Sequence, residues 1–372
     1  MQNLILNNLN LSGKRILLRI DINSAVFKGK VIESDRVKAN VKTIKELVKK
    51  KCSVVLLAHQ GSPGKKDFIS LKQHSKILNK YIKIKFVEDT IGKKAINAIK
   101  NLEKKEVLLL ENVRFLKDEF NPSIKNKFVK NLKPFFDYYI NDAFSVSHRN
   151  QTSIVSFPKV LPFGIGKVME EELKNIENLK SKIKNCLFIL GGKKFKDLIS
   201  LFNNKKILTG GILSHLVLIS KGYNLGEENK FLKKELKFLP KIKKYSKNMK
   251  TPIDLAVSIN GKRKVFDLKD FPQKYSVFDI GNKTIELYKK EIKKSKVIFF
   301  KGALGMFEDE KFENGTKEIL KAISNSKSFS VIAGGQSSDA LKKFRLKKSK
   351  FSYVSLSGGA LVYYISGKKL PE

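Results

Sequence analysis

Arginine and histidine residues follow predicted strands in the first half of the chain. Arg36 opens the first predicted helix, and the others follow apolar segments: His59, Arg114, His148 and Arg149. The set holds three of the seven arginines and two of the four histidines. Because the carboxyl ends of parallel strands share one sheet edge, these side chains are expected to meet there. Guanidinium and imidazole groups suit carboxylate or phosphate, so the pattern predicts an anion site, although either histidine alone could be a core residue.

The strand ends of the two halves differ in type. In the first half they also carry polar residues such as Asp21 and Asn23, whereas in the second half they carry glycine. Glycine after a strand lets backbone N–H groups approach a ligand and directs a helix N-terminus towards it. Six such turns, with Lys194 beside the first, favour a nucleotide over tight turns alone; they contain Gly191 and Gly192, Gly210 and Gly211, Gly281, Gly302, Gly334 and Gly335, and Gly358 and Gly359.

An anion site in one half and a phosphate site in the other predict phosphoryl transfer between two substrates. Several common alternatives are missing from the sequence, which contains no GxxxxGK[ST] loop, no GxGxxG fingerprint and neither an HRD nor a DFG motif. No spacing of histidine, cysteine and glutamate indicates a zinc site. The two half-sites therefore belong to a different class of phosphotransferase.

The composition is that of a globular protein of about two domains. The chain has 372 residues, of which 41% are hydrophobic and 30% charged, and no apolar run reaches the ~18 residues that a membrane helix needs. The first residues lack a basic start followed by an apolar stretch, so we expect no secretory signal. The distant cysteines Cys52 and Cys186 fit a reducing compartment. A cytoplasmic protein is therefore expected.

The net charge of +41 results from 76 basic and 35 acidic residues. Lysines supply nearly all of the positive charge and are spread along the whole chain. Proteins that read nucleic acid usually rely on arginine, so solvated lysine-rich surfaces are the favoured interpretation. A polyanion (nucleic-acid) binder is the alternative function. We expect a monomer without a functional nucleic-acid partner and without a membrane partner.

Apolar runs alternate with helix-period segments almost from end to end. Most runs are continuous, as in buried strands, and the repeated β-α units predict two doubly wound parallel-sheet (Rossmann-like) α/β domains. Residues 157–166 are predicted to form a loop, and the domains are predicted as 1–168 and 185–372, joined by an interdomain helix over 169–184. The predicted strands are residues 14–22, 53–58, 83–88, 106–110, 135–141, 186–190, 205–209, 252–257, 275–280, 296–300, 328–333 and 352–356.

A colinear series of motifs from about residue 12 to 371 resembles the phosphoglycerate kinase family. The motifs of the first half are similar to R-V-D-F-N, D-x-R-I, S-H-x-G-R-P, L-E-N-x-R-F and N-D-A-F-x-x-x-H-R, and lie at residues 19–23, 34–37, 58–63, 110–115 and 141–149. Those of the second half are similar to L-G-G-A-K, x-G-G, D-I-G-P-K-T and N-G-P-x-G-V-F-E, and lie at residues 190–194, 209–211, 279–284 and 301–308.

The resemblance implies a bilobed, hinged kinase that reversibly transfers the acyl phosphate of 1,3-bisphosphoglycerate to Mg-ADP, giving 3-phosphoglycerate and Mg-ATP in glycolysis and gluconeogenesis. Transfer would be direct and in line after hinge closure, with Mg²⁺ accompanying ATP or ADP. The implied catalytic residues are Arg36 and Lys194. The implied substrate-binding residues are Asp21, Asn23, Arg36, His59, Ser62, Arg114 and Arg149. The implied nucleotide-binding residues are Gly191, Gly192, Lys194, Gly210, Gly211, Glu308, Gly334, Gly335, Gln336 and Ser337.

Two departures from the family's pattern remove positive charge. Ser62 stands where the family usually has arginine, so the anion site is expected to lack one cation. Leu198 stands where many members have a second phosphate-binding lysine, and Lys193 or Lys196 could take its place.

Further departures concern the nucleotide side. Lys301 and Ala303 replace the asparagine and proline of the N-G-P motif. Gln336 stands where many members have an aspartate near the metal, and a neutral amide is a poorer ligand for Mg²⁺. The sequence therefore leaves the metal ligands open.

Overall fold

The chain divides into two compact units, each of which has its own parallel sheet. The computed structural model describes residues 4–203 and 206–371. One unit comprises the described residues up to Lys174 together with 369–371, and the other is Asn175–Lys368. The unit boundary lies within one helix, Lys167–Lys180. The domain limits predicted from the sequence stay a prediction.

The first unit is built on a six-stranded sheet. The strands of the whole unit are β1 (Arg15–Arg19), β2 (Val26–Phe27), β3 (Lys30–Val31), β4 (Ser53–Leu57), β5 (Lys85–Phe86), β6 (Val107–Leu109), β7 (Tyr138–Asn141) and β8 (Phe163–Ile165). Its helices are α1 (Asp35–Lys49), α2 (Lys72–Leu78), α3 (Lys93–Lys100), α4 (Lys127–Leu132), α5 (Thr152–Val155) and α6 (Lys167–Lys180). The sheet order is β5-β6-β4-β1-β7-β8, with every pair parallel, while β2 and β3 form a separate antiparallel pair.

The strand order places the end of β1 where a ligand is expected. The chain adds β4 on one side of β1 and later adds β7 on the other side. Arg19, the last residue of β1, pairs with Leu57 of β4 and with Asn141 of β7, so the three strands end together. Ligands of open α/β sheets bind at such a topological switch point, outside the carboxyl ends of the strands.

Apolar side chains on both faces of this sheet explain why it forms. Along β1, Ile16 and Leu18 belong to one buried cluster, whereas Leu17 belongs to the cluster on the opposite face. Helix α1 covers the first cluster with Val37 and Ile44. Each fully buried aliphatic side chain contributes roughly 1.5–3 kcal/mol. The prediction of an amphipathic first helix over buried strands is confirmed.

The second unit repeats the plan with another six-stranded parallel sheet. The strands of the whole unit are β9 (Cys186–Leu190), β10 (Ile207–Thr209), β11 (Met249–Lys250), β12 (Asp254–Ile259), β13 (Lys262–Asp267), β14 (Val277–Ile280), β15 (Val297–Lys301), β16 (Phe329–Ala333) and β17 (Tyr353–Ser355). Its helices are α7 (Gly211–Ser220), α8 (Glu227–Phe231), α9 (Leu239–Tyr245), α10 (Asn282–Lys294), α11 (Asn314–Ser324), α12 (Gly335–Lys343) and α13 (Gly359–Ile365). The sheet order is β11-β10-β9-β15-β16-β17, so β9 and β15 lie at its centre.

Three strands of this unit form a separate antiparallel sheet in the order β13-β12-β14. The predicted strands 252–257 and 275–280 fall in this antiparallel sheet and not in the parallel one. The cause is a tight hairpin between β12 and β13, in which Asn260 and Gly261 both have positive φ angles of 49° and 74°. An Asn-Gly pair of this kind reverses the chain in two residues.

The segment 157–166 contains a short strand that was predicted to be loop. Strand β8 pairs with β7, and Gly164 lies opposite Ile140. A side chain on Gly164 would collide with Leu9, so glycine is required although it weakens the strand signal. Residue 205, the first of the predicted strand 205–209, lies outside the described residues.

Among the described residues, every helix is too short or too polar to cross a membrane.

Candidate active site

Arg19 forms a buried frame at the carboxyl end of β1. Its side chain is completely buried, with Nη2 3.1 Å from Nδ1 of His59 and Nε donating to Oγ of Ser153 at 2.9 Å. Ser153 in turn donates to the buried carboxylate of Glu119 at 2.7 Å. Because a guanidinium can only donate, Nδ1 of His59 must accept, and the ring proton lies on Nε2. His59 is therefore a neutral donor with a fixed orientation.

Positive charge is concentrated around His59. Burial lowers the pKa of His59 well below its usual value, and the charges of Arg19, Arg114, Arg149 and Arg36 lower it further. Arg19 contacts the ring directly, and Arg114 donates to the carbonyl oxygen of Gly61, two residues after His59. The structure thus brings together three arginines that the sequence pattern selected and adds Arg19. Such a concentration of cations attracts small, highly charged anions.

A buried carboxylate orients Arg36. Nη1 of Arg36 lies 3.0 Å from Oδ2 of Asp21, and Ser145 donates a hydrogen bond to the same oxygen. Burial alone would raise the pKa of Asp21, but Arg36, Ser145 and the backbone N–H of Asn23 outweigh it and hold the pKa below its usual value. Asp21 therefore remains charged at neutral pH. Its partner Arg36 is fixed by an ion pair that water screens less than a surface pair.

Asn23 connects the first strand end to the next one. Its Oδ1 accepts a hydrogen bond from the backbone N–H of Gly61 at 2.8 Å, and its carbonyl oxygen accepts one from Nη1 of Arg36 at 3.5 Å. Asp21 and Asn23 thus position cationic groups at this edge. Direct contact of either residue with a substrate stays a prediction.

Arg114 carries buried donors that the protein itself does not satisfy. Its Nη1 donates to the carbonyl oxygen of Gly61 and, at 3.2 Å, to Oγ of Ser62. Its Nε and Nη2 are buried and have no hydrogen-bond partner within the described parts of the chain. Burial, together with the charges of Arg149 and Arg19, lowers the pKa of Arg114 to about 10. Buried donors without partners are costly, so the two nitrogens indicate recognition of an anion.

The segment after β7 contributes both charge and structure. Arg149 is exposed, and its charge acts on His59, whereas the nearby His148 is half-buried. Asp142 is completely buried, and its Oδ1 accepts hydrogen bonds from the first two N–H groups after residue 167, at 2.8 and 3.1 Å. Asp142 therefore stabilises the start of α6 and is not part of the anion site.

His74 of α2 braces the loop that carries His59. Its Nε2 lies 3.1 Å from Oε1 of Gln60, which also accepts a hydrogen bond from the backbone N–H of Ser24 at 2.9 Å. Nδ1 of His74 is buried and lacks a hydrogen-bond partner among the described residues. Burial lowers the pKa of His74 to about 4, so the folded protein holds this ring neutral at physiological pH.

The unfolding free energy is expected to fall as the pH drops from about 6.5 to about 4, in part because of His74. The unfolded chain binds a proton at His74 near its ordinary pKa of 6.5, whereas the folded chain does so only near pH 4. This difference penalises the folded state by about 3 kcal/mol at most. His74→Gln keeps a donor towards Gln60 but cannot titrate, so its urea-unfolding free energy should depend less steeply on pH in this range. Equal slopes for the variant and the wild type would contradict the assignment.

Glycines in the second unit bring the ends of β9 and β15 into direct backbone contact. The N–H of Gly191 donates to the carbonyl of Lys301 at 2.9 Å, and that of Gly192 to the carbonyl of Ala303 at 2.7 Å. Gly302 has a φ of +85°, and a Cβ there would collide with Gly191. These turns need glycine for packing. The N–H groups of Gly191 and Gly192 are already used within the protein.

Gly210 and Gly211, after β10, have the same role. Their N–H groups donate to the carbonyl oxygens of Leu190 and Leu304, both at 2.9 Å. The sequence-based expectation that these N–H groups bind phosphate stays a prediction. Their contacts show that they shape the sheet edge.

Gly281 was wrongly included among the turns of this edge. It follows β14, which belongs to the antiparallel sheet. A Cβ on Gly281 would collide with the carboxylate of Asp254, which accepts hydrogen bonds from the backbone N–H groups of Lys283 at 2.9 Å and Thr284 at 2.8 Å. Asp254 thus satisfies the N-terminus of α10 and leaves no place there for a phosphate.

The glycine turns after β9, β10, β15 and β16 lie at one edge of the second parallel sheet, here called the glycine edge. The start of α12 is an open part of this edge. Gly334 has a φ of +91° and precedes this helix, and a Cβ on Gly335 would meet no atom within 4 Å. Gln336 is half-buried beside the turn, and Oγ of Ser337 accepts a hydrogen bond from the N–H of Gly302 at 3.1 Å. No side chain caps the helix. An uncapped N-terminus with open space beside it can accept phosphate.

Lys194 follows the turn after β9, and Glu308 follows the turn after β15; both side chains are exposed. Lys301, the last residue of β15, is buried. The charge of Lys194 acts on the ammonium group of Lys301. Within residues 4–203 and 206–371, no three His, Cys, Asp or Glu side chains form a cluster that could hold a metal ion. The protein's own metal ligands therefore stay unassigned.

Sequence reasoning assigned no site role to Arg19 or Lys301. Arg19 had a signal, because a charged residue stands at the end of an apolar strand. Lys301 was read only as a departure from a motif. Its burial depends on β9 and β16, which flank it in the sheet and come from distant parts of the chain.

The chain is similar to phosphoglycerate kinases over nearly its whole length. A sequence profile of the family described as phosphoglycerate kinase matches residues 6–368. The phosphoglycerate kinase of Methanothermus fervidus is 38% identical over 390 aligned residues, covering 98% of this chain and 95% of that protein. The enzyme of Sulfolobus acidocaldarius is 40% identical, covering 98% of this chain and 94% of its own length.

A solved structure shows the same likeness in three dimensions. The crystal structure of phosphoglycerate kinase from Pyrococcus horikoshii OT3 matches with a TM-score of 0.92 at 32% sequence identity. The match covers 99% of this chain and 97% of that one. The likeness therefore extends over both parallel sheets.

Proposed function

Since the chain belongs to the phosphoglycerate kinase family, we propose that the arginine-bearing edge of its first sheet binds the glycerate substrate and the glycine edge of its second sheet binds the nucleotide. The chain is a glycolytic phosphotransferase with a carboxyl group as acceptor. It reversibly transfers the acyl phosphate of 1,3-bisphosphoglycerate to ADP, giving 3-phosphoglycerate and ATP.

The unsatisfied guanidinium of Arg114 is the observation that carries the substrate assignment. Its Nε and Nη2, both buried without partners among the described residues, lie side by side on one edge of the guanidinium plane. That geometry matches two oxygens of one carboxylate or phosphate group. The neutral His59 adds an N–H donor, and Arg36 and Arg149 add positive charge. The proposed substrate-binding residues are Asp21, Asn23, Arg36, His59, Ser62, Arg114 and Arg149.

The nucleotide assignment uses the turns of the second sheet. Glycines that pack β9 against β15 shape the edge, the start of α12 offers uncapped N–H groups, and Lys194 adds an exposed cation. We assign Glu308 to the ribose. The proposed nucleotide-binding residues are Gly191, Gly192, Lys194, Gly210, Gly211, Glu308, Gly334, Gly335, Gln336 and Ser337. Mg²⁺ is proposed to enter as part of the Mg-nucleotide substrate.

The proposed reaction needs positioning and charge neutralisation more than covalent chemistry. The bond between the acyl oxygen and phosphorus breaks while a bond forms from an oxygen of the ADP β-phosphate, with no intermediate on the protein. Arg36 and Lys194 are proposed to spread the negative charge that develops on the transferred group. Hinge closure, as implied by the resemblance, is kept as part of this proposal.

A coupled assay with 3-phosphoglycerate and Mg-ATP tests the function. We expect turnover that requires both substrates. A folded protein, verified by a cooperative thermal transition, that forms no 1,3-bisphosphoglycerate would remove the proposal.

Arg114→Met is expected to raise KM for 3-phosphoglycerate about 10- to 100-fold, because charged hydrogen bonds contribute about 1.5–3 kcal/mol each. The dissociation constant for ADP should not change, since Arg114 lies in the first unit. The variant also removes the hydrogen bond from Nη1 to the carbonyl oxygen of Gly61, so a somewhat lower melting temperature is expected, and a cooperative thermal transition verifies that the variant is folded. Steady-state kinetics and calorimetric titration measure these values, with Arg15→Met, at the opposite end of β1, as the control. An unchanged KM would refute the role of Arg114.

We further propose that the protein is a cytoplasmic monomer whose partners are its small-molecule substrates. Residues 1–168 would form the 3-phosphoglycerate domain and 185–372 the nucleotide domain, with 169–184 as the connecting helix. Sedimentation in the presence and absence of substrates would test the monomer.

The comparisons do not favour the alternative of a polyanion binder, although the net charge of +41 keeps it testable. A filter-binding titration with DNA and RNA across a salt series discriminates. Micromolar or tighter binding at physiological salt, with a steep salt dependence, would support the alternative.

A further inference from the structure

Lys301 is a buried lysine at the centre of the second sheet. It is the last residue of β15, which lies between β9 and β16. Only 8% of its surface is exposed. No hydrogen bond or ion pair joins its side chain to the residues that the structure describes, and its Nζ is not one of their fully buried polar atoms that lack a partner, so the ammonium group keeps contact with solvent. The apolar stem is thus buried while the charge is presented at the end of the strand.

The environment of Lys301 is costly for a positive charge. Burial lowers the pKa of Lys301, the charge of Asp197 opposes this shift, and the charge of Lys194 adds to it. Asp197 therefore compensates the ammonium only in part. A buried cation of this kind is tolerated where an anionic ligand completes its environment.

The ammonium group lies along the open part of the glycine edge. A Cβ on Gly358 would lie 3.6 Å from Cε and 4.0 Å from Nζ of Lys301, and 3.6 Å from Cα of Gly334. Gly334 precedes the nine-residue helix α12, whose N-terminus has no side-chain cap and whose first residue, Gly335, borders open space. A buried cation and uncapped helix N–H groups thus lie beside the same backbone, which is a combination suited to a phosphate chain.

Leu198, which stands at the position of the family's second phosphate-binding lysine, is completely buried and apolar. Of the two lysines that could replace it, Lys196 has its Nζ 5.0 Å from the centre of the Phe238 ring, and Lys193 is exposed. We propose that Lys301 binds the phosphate chain of the nucleotide as a second cation beside Lys194. This inference rests on the proposed function for the identity of the ligand, and it assigns the phosphate contact to a residue at the end of the central strand.

Lys301→Met tests the inference, because methionine keeps the length of the apolar stem and removes only the charge. We expect ADP and ATP, titrated calorimetrically in EDTA, to bind about 10- to 100-fold more weakly. Adenosine and 3-phosphoglycerate should bind as they do to the wild type, since neither reaches the phosphate position. The variant should melt no lower than the wild type, because a buried charge has been removed. Lys301→Arg, which keeps the charge, should recover most of the affinity for ADP.

Lys296→Met is the matched control, since it removes an exposed lysine just before the opposite end of β15. Unchanged ADP affinity in Lys301→Met, equal losses in Lys296→Met, or an equal loss of adenosine binding would each overturn the inference. Wild-type turnover with 3-phosphoglycerate and Mg-ATP is measured in parallel. Its absence would remove the proposed function, whereas normal turnover with unaffected ADP binding in Lys301→Met would remove only the role of Lys301.

Discussion

Arg36→Met is expected to lower kcat about 10³-fold, with much smaller changes in the dissociation constants of 3-phosphoglycerate and ADP. Arg36 opens α1 at the switch point of the first sheet, and Asp21 holds its guanidinium at 3.0 Å. An arginine fixed in this way can neutralise charge on a transferred phosphoryl group without reorganising, and such arginines contribute about 10³–10⁵ in rate. Stopped-flow or coupled-assay rates, together with calorimetric binding of each substrate, measure the two effects separately.

The Arg36 variants also need a control for stability. Removing the guanidinium leaves Asp21 buried without its ion-pair partner, so Arg36→Met should melt at a lower temperature. Arg36→Lys keeps a charge beside Asp21 but loses the planar fork, so it should retain most of the stability and still lose at least tenfold in kcat. If Arg36→Met keeps near-normal kcat, or if kcat follows the melting temperature across both variants, the catalytic role is refuted.

The fold was predictable where apolar runs fill both faces of a sheet. The central strands β1, β4, β9 and β15 were found because buried parallel strands leave a continuous apolar signal. Strand β13, and with it the hairpin β12–β13, was missed because β13 carries lysine and aspartate and the hairpin's signal is one Asn-Gly pair, Asn260 and Gly261. Strand β8 was missed because its three residues include a glycine required by a distant leucine. Such elements depend on contacts that lie outside their own segment.

The residues of the candidate site also include some that could be predicted from the sequence and some that could not. The types and order of Arg36, Arg114 and Arg149 could be read from the sequence, because arginine is rare in this lysine-rich chain and follows strand ends. The role of Arg19 could not be read, since its partner Ser153 is 134 residues away. The role of each glycine could not be predicted either. A glycine whose N–H binds phosphate and a glycine that lets a neighbouring carbonyl group approach look alike in sequence. Three of the arginines were thus predictable, whereas the buried Arg19 and Lys301 and the groups that orient the arginines were not.

Lys194→Met is expected to lower kcat about 10²- to 10³-fold, because it removes one of the two cations proposed to act on the transferred group. Lys194 follows the turn of Gly192, which has a φ of +82°, and its side chain is exposed. An exposed lysine contributes little to folding, so the melting temperature should be unchanged. This separates Lys194 from Arg36, whose loss should reduce both kcat and stability.

Lys194 and Lys301 are expected to act at different stages of the reaction. The charge of Lys194 acts on Lys301, and of these two lysines only Lys301 is buried. If the buried lysine holds the nucleotide and the exposed one follows the moving phosphoryl group, Lys194→Met should reduce kcat while ADP affinity falls less than about tenfold. Lys301→Met should reduce the affinity for ADP more than it reduces kcat at saturating nucleotide, and Lys296→Met should change neither quantity. A Lys194→Met variant that loses ADP affinity but keeps its kcat at saturating nucleotide would place Lys194 in ground-state binding and remove it from the transfer step.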